Sequence, residues 1–95
     1  MSGLRILVVD GSSVYRKMYA SAIAESDQNA ALAFASSGEE ALEQIKRSDY
    51  DIIVIDMEIP ELYVTRLLKR IVRDIPKAFV LITARPLDPY PTTIT

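Results

Sequence analysis

The sequence contains no histidine and no cysteine in 95 residues. Without cysteine there is no disulfide framework and no thiolate zinc site, and without histidine there is no imidazole base. The absence of cysteine also fits a cytoplasmic setting. Glycine is sparse, with three in all. No Gly-x-Gly-x-x-Gly and no Gly-Lys-Ser/Thr loop occurs, which disfavours an enzyme or nucleotide binder on a doubly wound sheet. An excess of one charge is missing too. Eleven basic and 13 acidic side chains leave a net charge of -2, which gives no field for nucleic acid or an anionic membrane. The first apolar run is too short for a signal peptide or a membrane span. What is present is a chain of 49% apolar residues, long enough for one domain with a buried sheet.

Two hydrophobic periods alternate along it. Residues 4–9 and 51–56 are nearly continuous apolar runs and read as strands buried on both faces. Residues 30–35 read as a weak edge strand, short of β-branched side chains, and 78–83 as a fourth strand. Helical spacing runs from Ser13 to about Ser26, with Val14, Met18, Ala22 and Tyr15, Tyr19, Ile23 on adjacent stripes. Ser12 or Ser13 can cap it. Ser37-Gly38-Glu39-Glu40 is a capping box opening a second helix that buries Ala41, Leu42 and Ile45. A third helix spans 62–73 through Val64, Leu67, Leu68, Ile71 and Val72, and Asp74-Ile75-Pro76 ends it. Residues 85–91 contain three prolines in seven positions, so 85–95 reads as an extended tail. The order βαβαβαβ predicts an α/β fold with a parallel sheet and right-handed crossovers.

The first, third and fourth strands end in Asp10, Asp56 and Thr83. In open parallel sheets, ligands sit beyond the carboxyl ends of the strands. A carboxylate at a strand exit can attack phosphorus to give an aspartyl phosphate, or help bind Mg²⁺. A nearby hydroxyl can hydrogen-bond the resulting phosphate. Each residue alone has a plainer reading: a turn or cap for the two acids, a β-branched strand residue for Thr83.

Four segments in register resemble response-regulator receiver domains. They are Ile6-Leu7-Val8-Val9-Asp10-Gly11-Ser12-Ser13-Val14-Tyr15-Arg16-Lys17, Ser36-Ser37-Gly38-Glu39-Glu40-Ala41-Leu42, Asp51-Ile52-Ile53-Val54-Ile55-Asp56-Met57-Glu58-Ile59-Pro60 and Leu81-Ile82-Thr83-Ala84. The Asp-x-Glu-x-Pro form looks most like chemotaxis-type receivers, including those attached to chemotaxis methylesterases. The resemblance implies a flavodoxin-like doubly wound sheet, strand order 2-1-3-4, in a cytoplasmic non-enzymatic signalling module. It implies Asp56 as the phosphoacceptor for a histidine kinase and Thr83 as the switch hydroxyl. Mg²⁺ would be held by Asp10, Asp56 and the backbone carbonyl of Glu58.

The departures shape the expectation. Gly11 stands where the family has a second acid, so Mg²⁺ binding and phosphorylation should be weak or absent. Tyr63-Val64 stand where an Asp-Gly pair is usual, and a valine disfavours φ > 0, so that loop must differ. The family's fifth strand, its lysine and two further helices have no counterpart. The chain therefore reads as a receiver-like domain over 1–84, truncated after the fourth strand, with a tail over 85–95. The fourth strand would be an apolar edge, and the first helix would expose an apolar stripe. A homodimer through the fourth strand, or a protein partner there, is the expected consequence. A fully active receiver completed by a partner or second copy is the alternative.

Overall fold

The computed structural model describes residues 3–84. Their elements are β1 (Arg5–Val9), α1 (Ser13–Ser26), β2 (Ala31–Ala35), α2 (Gly38–Arg47), β3 (Ile52–Asp56), α3 (Glu61–Asp74) and β4 (Phe79–Thr83). The four strands form one parallel sheet in the order β2-β1-β3-β4, so the predicted flavodoxin-like order is observed. The weak β2 is at one edge, and the expected tail over 85–95 lies outside the described residues.

Burial explains why β1 and β3 are central. Leu7, Val9, Ile53 and Ile55 point to one side and form the main core with Ala41 and Ile45 of α2 and Leu67 and Ile71 of α3. Each such side chain, fully buried, contributes about 1.5–3 kcal/mol of transfer free energy. Ile6, Val8 and Val54 point to the other side, where Tyr19 and Ile23 of α1 pack against them. Two adjacent apolar stripes on α1 have different fates. Tyr19 and Ile23 meet the sheet, while Val14 and Met18 are exposed. On α3, Val72 is exposed, because the helix turns it away from the stripe that holds Leu67 and Ile71. Tyr50 and Ile59 are core members that periodicity does not reveal, since both lie in loops. The Tyr50 ring is buried while its hydroxyl donates to Gln44 Oε1 at 3.1 Å.

The helix starts follow local chemistry. Ser12 Oγ accepts the Tyr15 N–H at 3.3 Å and Ser37 Oγ accepts that of Glu40 at 3.1 Å. The return arm of the second cap differs from the usual capping box. The Glu40 carboxylate accepts from Ser36 N–H at 3.1 Å, one residue before the cap. Pro60 precedes α3, so Tyr63 and Val64 fall in its first turn with no left-handed residue among those described. Helix α3 thus begins at Glu61, two residues before Tyr63.

Gly38 is constrained by packing rather than by its dihedrals. A β-carbon there would overlap the Tyr63 side chain, so absence of a side chain lets α2 approach α3. Gly38→Ala should lower unfolding free energy by about 1–3 kcal/mol, the usual scale of overpacking. Urea unfolding followed by circular dichroism measures it, with Gly11→Ala expected to be milder because its β-carbon meets only Ser36 O at 3.5 Å.

Candidate functional site

Parallel register brings the three strand ends together. Val9 aligns with Ile55, so Asp10 emerges beside Asp56, and Asp56 aligns directly with Thr83. The row Asp10, Asp56, Thr83 therefore crosses three adjacent strands at their carboxyl ends, as the strand-end pattern implied. Asp10 is 1% exposed and Asp56 2%. Buried carboxylates are costly to desolvate and persist where backbone donors hold them. Asp10 Oδ1 accepts Ser12 N–H at 2.9 Å and Asp56 Oδ1 accepts Glu58 N–H at 3.1 Å. Each acid thus closes its own turn, as the plain reading of these residues has it.

Asp56 opens onto a shallow cavity of about 280 Å³ lined by Gly11, Ser12, Glu58 and Ile59. The loops after β1 and β3 make its walls. The Ile59 N–H bonds Asp56 O at 3.0 Å, tightening the turn. Met57 N–H reaches Thr83 O at 2.8 Å and carries the β3–β4 ladder one step past the acid. Arg16 is a further member that pattern reading did not single out. Its guanidinium donates to the Asp10 carbonyl oxygen at 2.7 Å. Its position one turn after the Ser12 cap was the available signal.

The donor set suits a hard cation in kind but is sparse. Mg²⁺ takes oxygen ligands and keeps several waters, with one or two carboxylates from the protein. Asp10 and Asp56 supply two, and the Glu58 carbonyl belongs to the loop bordering the cavity. Among the described residues, no group of three or more His, Cys, Asp or Glu side chains is placed to hold a metal. Gly11 lines the mouth and supplies no side-chain ligand. There is room for one: an added β-carbon meets only Ser36 O, at ordinary contact distance.

A parallel α/β sheet with a buried acid at its central strand end, a second acid beside it and a hydroxyl residue on the next strand is the arrangement of a receiver-like fold. The comparisons make the class specific. The family model for the response regulator receiver domain matches residues 6–90. The chain belongs to the response-regulator receiver family, the receiving modules of two-component signalling, and is of the chemotaxis type. It is 31% identical over 94 residues to a protein-glutamate methylesterase/protein-glutamine glutaminase of Geobacillus kaustophilus, covering 99% of the chain and 27% of that protein. It is 28% identical over 91 residues to the corresponding enzyme of Oleidesulfovibrio alaskensis, covering 96% and 25%. The chain thus spans about a quarter of the length of these curated relatives. Among solved structures, the response regulator domain of Thermotoga maritima CheB superposes with TM-score 0.66 at 30% identity, over 86% of this chain and 62% of that one. A chemotaxis response regulator of Vibrio cholerae matches the fold with TM-score 0.73 at 22% identity, over 93% and 73%.

Asp10 and Asp56 are two buried carboxylates at adjacent strand ends, and like charges so placed repel. At an effective dielectric near 20 that repulsion is on the order of 1–3 kcal/mol. Asp56→Asn keeps the Oδ1 acceptor for Glu58 N–H and removes one charge. It should raise the unfolding free energy by that order at low salt, read as a higher urea midpoint, with a smaller gain when Mg²⁺ is added. An unchanged midpoint would show that the two acids are not electrostatically coupled.

Proposed function

We propose that the chain is a cytoplasmic, non-enzymatic receiver module in which Asp56 accepts a phosphoryl group weakly and output is carried by protein contact. The observation that carries this is the row Asp10, Asp56, Thr83, in which the acids keep their turns while Gly11 supplies no carboxylate. A carboxylate oxygen of Asp56 attacks the phosphorus of a phosphohistidine, or of a small-molecule donor. The new P–O bond forms as the bond to the donor breaks, and the donor keeps that electron pair. The Thr83 hydroxyl, on the strand in register with Asp56, would hydrogen-bond a phosphoryl oxygen and so report the charge to β4. Asp10, Asp56 and the Glu58 carbonyl would hold Mg²⁺, which when bound offsets the charge gathering on the phosphoryl oxygens. With Gly11 in place of an acid, that support is reduced and turnover by this route is slow.

Contact is the second half of the proposal. β4 pairs only with β3 among the described strands, and its Phe79, Leu81 and Ile82 are exposed. An apolar edge without charge or interior proline favours pairing. A histidine kinase, another signalling protein or a second copy meeting the fourth strand fits that surface, whereas the balanced charge gives nucleic acid and membranes no hold. Among the described residues, no helix is long and apolar enough to cross a membrane.

Intact-mass analysis after incubation with a small-molecule phosphodonor and Mg²⁺ tests the chemistry. The native chain should gain little of one phosphoryl mass, Asp56→Asn none, and Gly11→Asp roughly ten times more than native, the scale of a mechanism term worth about 1.4 kcal/mol. Rapid native labelling that Gly11→Asp does not improve would show instead a fully active receiver that tolerates Gly11.

A further inference from the structure

β3 lies between β1 and β4, so Asp56 has a neighbour on each flank. Thr83 stands on the β4 side. On the β1 side a second hydroxyl residue, Ser12, lines the same cavity as Asp56. The turn that carries Ser12 is held at several points. Its N–H donates to Asp10 Oδ1 at 2.9 Å, and its carbonyl oxygen accepts the Arg16 N–H at 3.0 Å. The Arg16 guanidinium in turn holds the Asp10 carbonyl. Ser12 Oγ accepts the Tyr15 N–H at 3.3 Å, which uses only a lone pair. A serine hydroxyl is a donor as well as an acceptor. Among the described residues, the Ser12 hydroxyl proton goes to no group of the protein. Ser13 differs, because it borders a separate cavity with Arg16, Lys17 and Phe34.

We propose that the Ser12 hydroxyl donates a hydrogen bond to a phosphoryl oxygen carried by Asp56, on the side of the acid opposite Thr83. This rests on the reading of Asp56 as the acceptor and adds a binding group to that site. The supply of donors selects Ser12. A phosphoryl group brings anionic oxygens to a place that already holds the Asp10 carboxylate. Hydrogen bonds to charged acceptors are the strong ones. The side chains lining the cavity are those of Ser12, Asp56, Glu58 and Ile59. Ionised acids only accept and isoleucine does neither, so of these side chains Ser12 is the donor. Gly11 lines the cavity without a side chain, so no acid at that position helps a cation neutralise the phosphoryl oxygens. Neutral donors therefore carry more of that charge. Mg²⁺ and Ser12 act on the same oxygens, and the contribution of Ser12 shrinks as the metal binds.

Initial rates of labelling by radiolabelled acetyl phosphate test it, on the full chain and over a Mg²⁺ series, with circular dichroism confirming that each variant is folded. Ser12→Gly removes the hydroxyl at a position where helix caps tolerate glycine, and Ser12→Thr keeps both hydroxyl and cap. At the lowest Mg²⁺ that gives native labelling, Ser12→Gly should be roughly tenfold slower than native, the scale of one hydrogen bond to a charged group. Ser12→Thr should stay within about twofold of native, as should Ser13→Ala. The gap between native and Ser12→Gly should narrow as Mg²⁺ is raised. Native-like labelling of Ser12→Gly, with none in Asp56→Asn, would overturn the Ser12 contact and leave Asp56 standing as acceptor. A loss that threonine does not rescue, or that is equal at every Mg²⁺ concentration, would also overturn it, because the hydroxyl would then act only through the fold. A native chain that takes no more label than Asp56→Asn at any Mg²⁺ would overturn the acceptor reading and this contact with it.

Discussion

The pairing of β1 with β3 is the constraint on which the rest depends. Its register, Ile6↔Ile52 through Val9↔Ile55, buries two apolar strands back to back and sets Asp10 beside Asp56 at their ends. A slip of one residue would turn Leu7 and Val9 to the opposite face and separate the acids. Because Leu7, Val8, Val9, Ile53 and Ile55 are essentially inaccessible to solvent, such a slip would forfeit most of the core. The same burial that stabilises the sheet therefore fixes the site. Chemistry at Asp56 needs no dedicated scaffold beyond the one hydrophobic patterning already provides.

Around that fixed pair the site departs from its family in a graded way. Asp56, its turn through Glu58 N–H and the neighbouring Thr83 on β4 are all in place. Gly11 follows Asp10, and α3 begins immediately after Pro60 with Tyr63 and Val64 inside its first turn. Tyr63 there packs against Gly38, whose missing side chain makes room for it. The altered loop is thus coupled to the α2–α3 contact, while the Gly11 change is local and sterically open. These two departures have different physical weights: one is built into the packing, the other is a missing ligand.

Much of this was legible in the residues. Continuous apolar runs located β1 and β3, and weak β-propensity put β2 at an edge, because both signals reflect burial directly. Asp10, Asp56 and Thr83 were legible as strand ends, and parallel topology then brought them together. Other features were not. Val72 sits in an apolar helical pattern yet faces solvent, and Val14 and Met18 do the same on α1. Periodicity marks apolar stripes but does not say what covers them. Tyr50 and Ile59 are buried loop residues outside any period. Arg16 reaches the Asp10 backbone carbonyl, a contact that its place one turn after the Ser12 cap permits but does not by itself dictate. The Glu40 arm landing on Ser36 rather than on the cap residue shows the same limit at a helix start.

The central claim is that Asp56 retains its acceptor geometry while the site has lost metal support at position 11. A Mg²⁺ titration followed by the amide resonances of residues 10–12 and 56–58 tests it most directly, comparing the native chain with Gly11→Asp. The account predicts shifts at the same residues in both proteins, with binding to Gly11→Asp at least about tenfold tighter, the effect of one added carboxylate ligand. Equal affinity in the two proteins would contradict it, because Gly11 would then cost the site nothing.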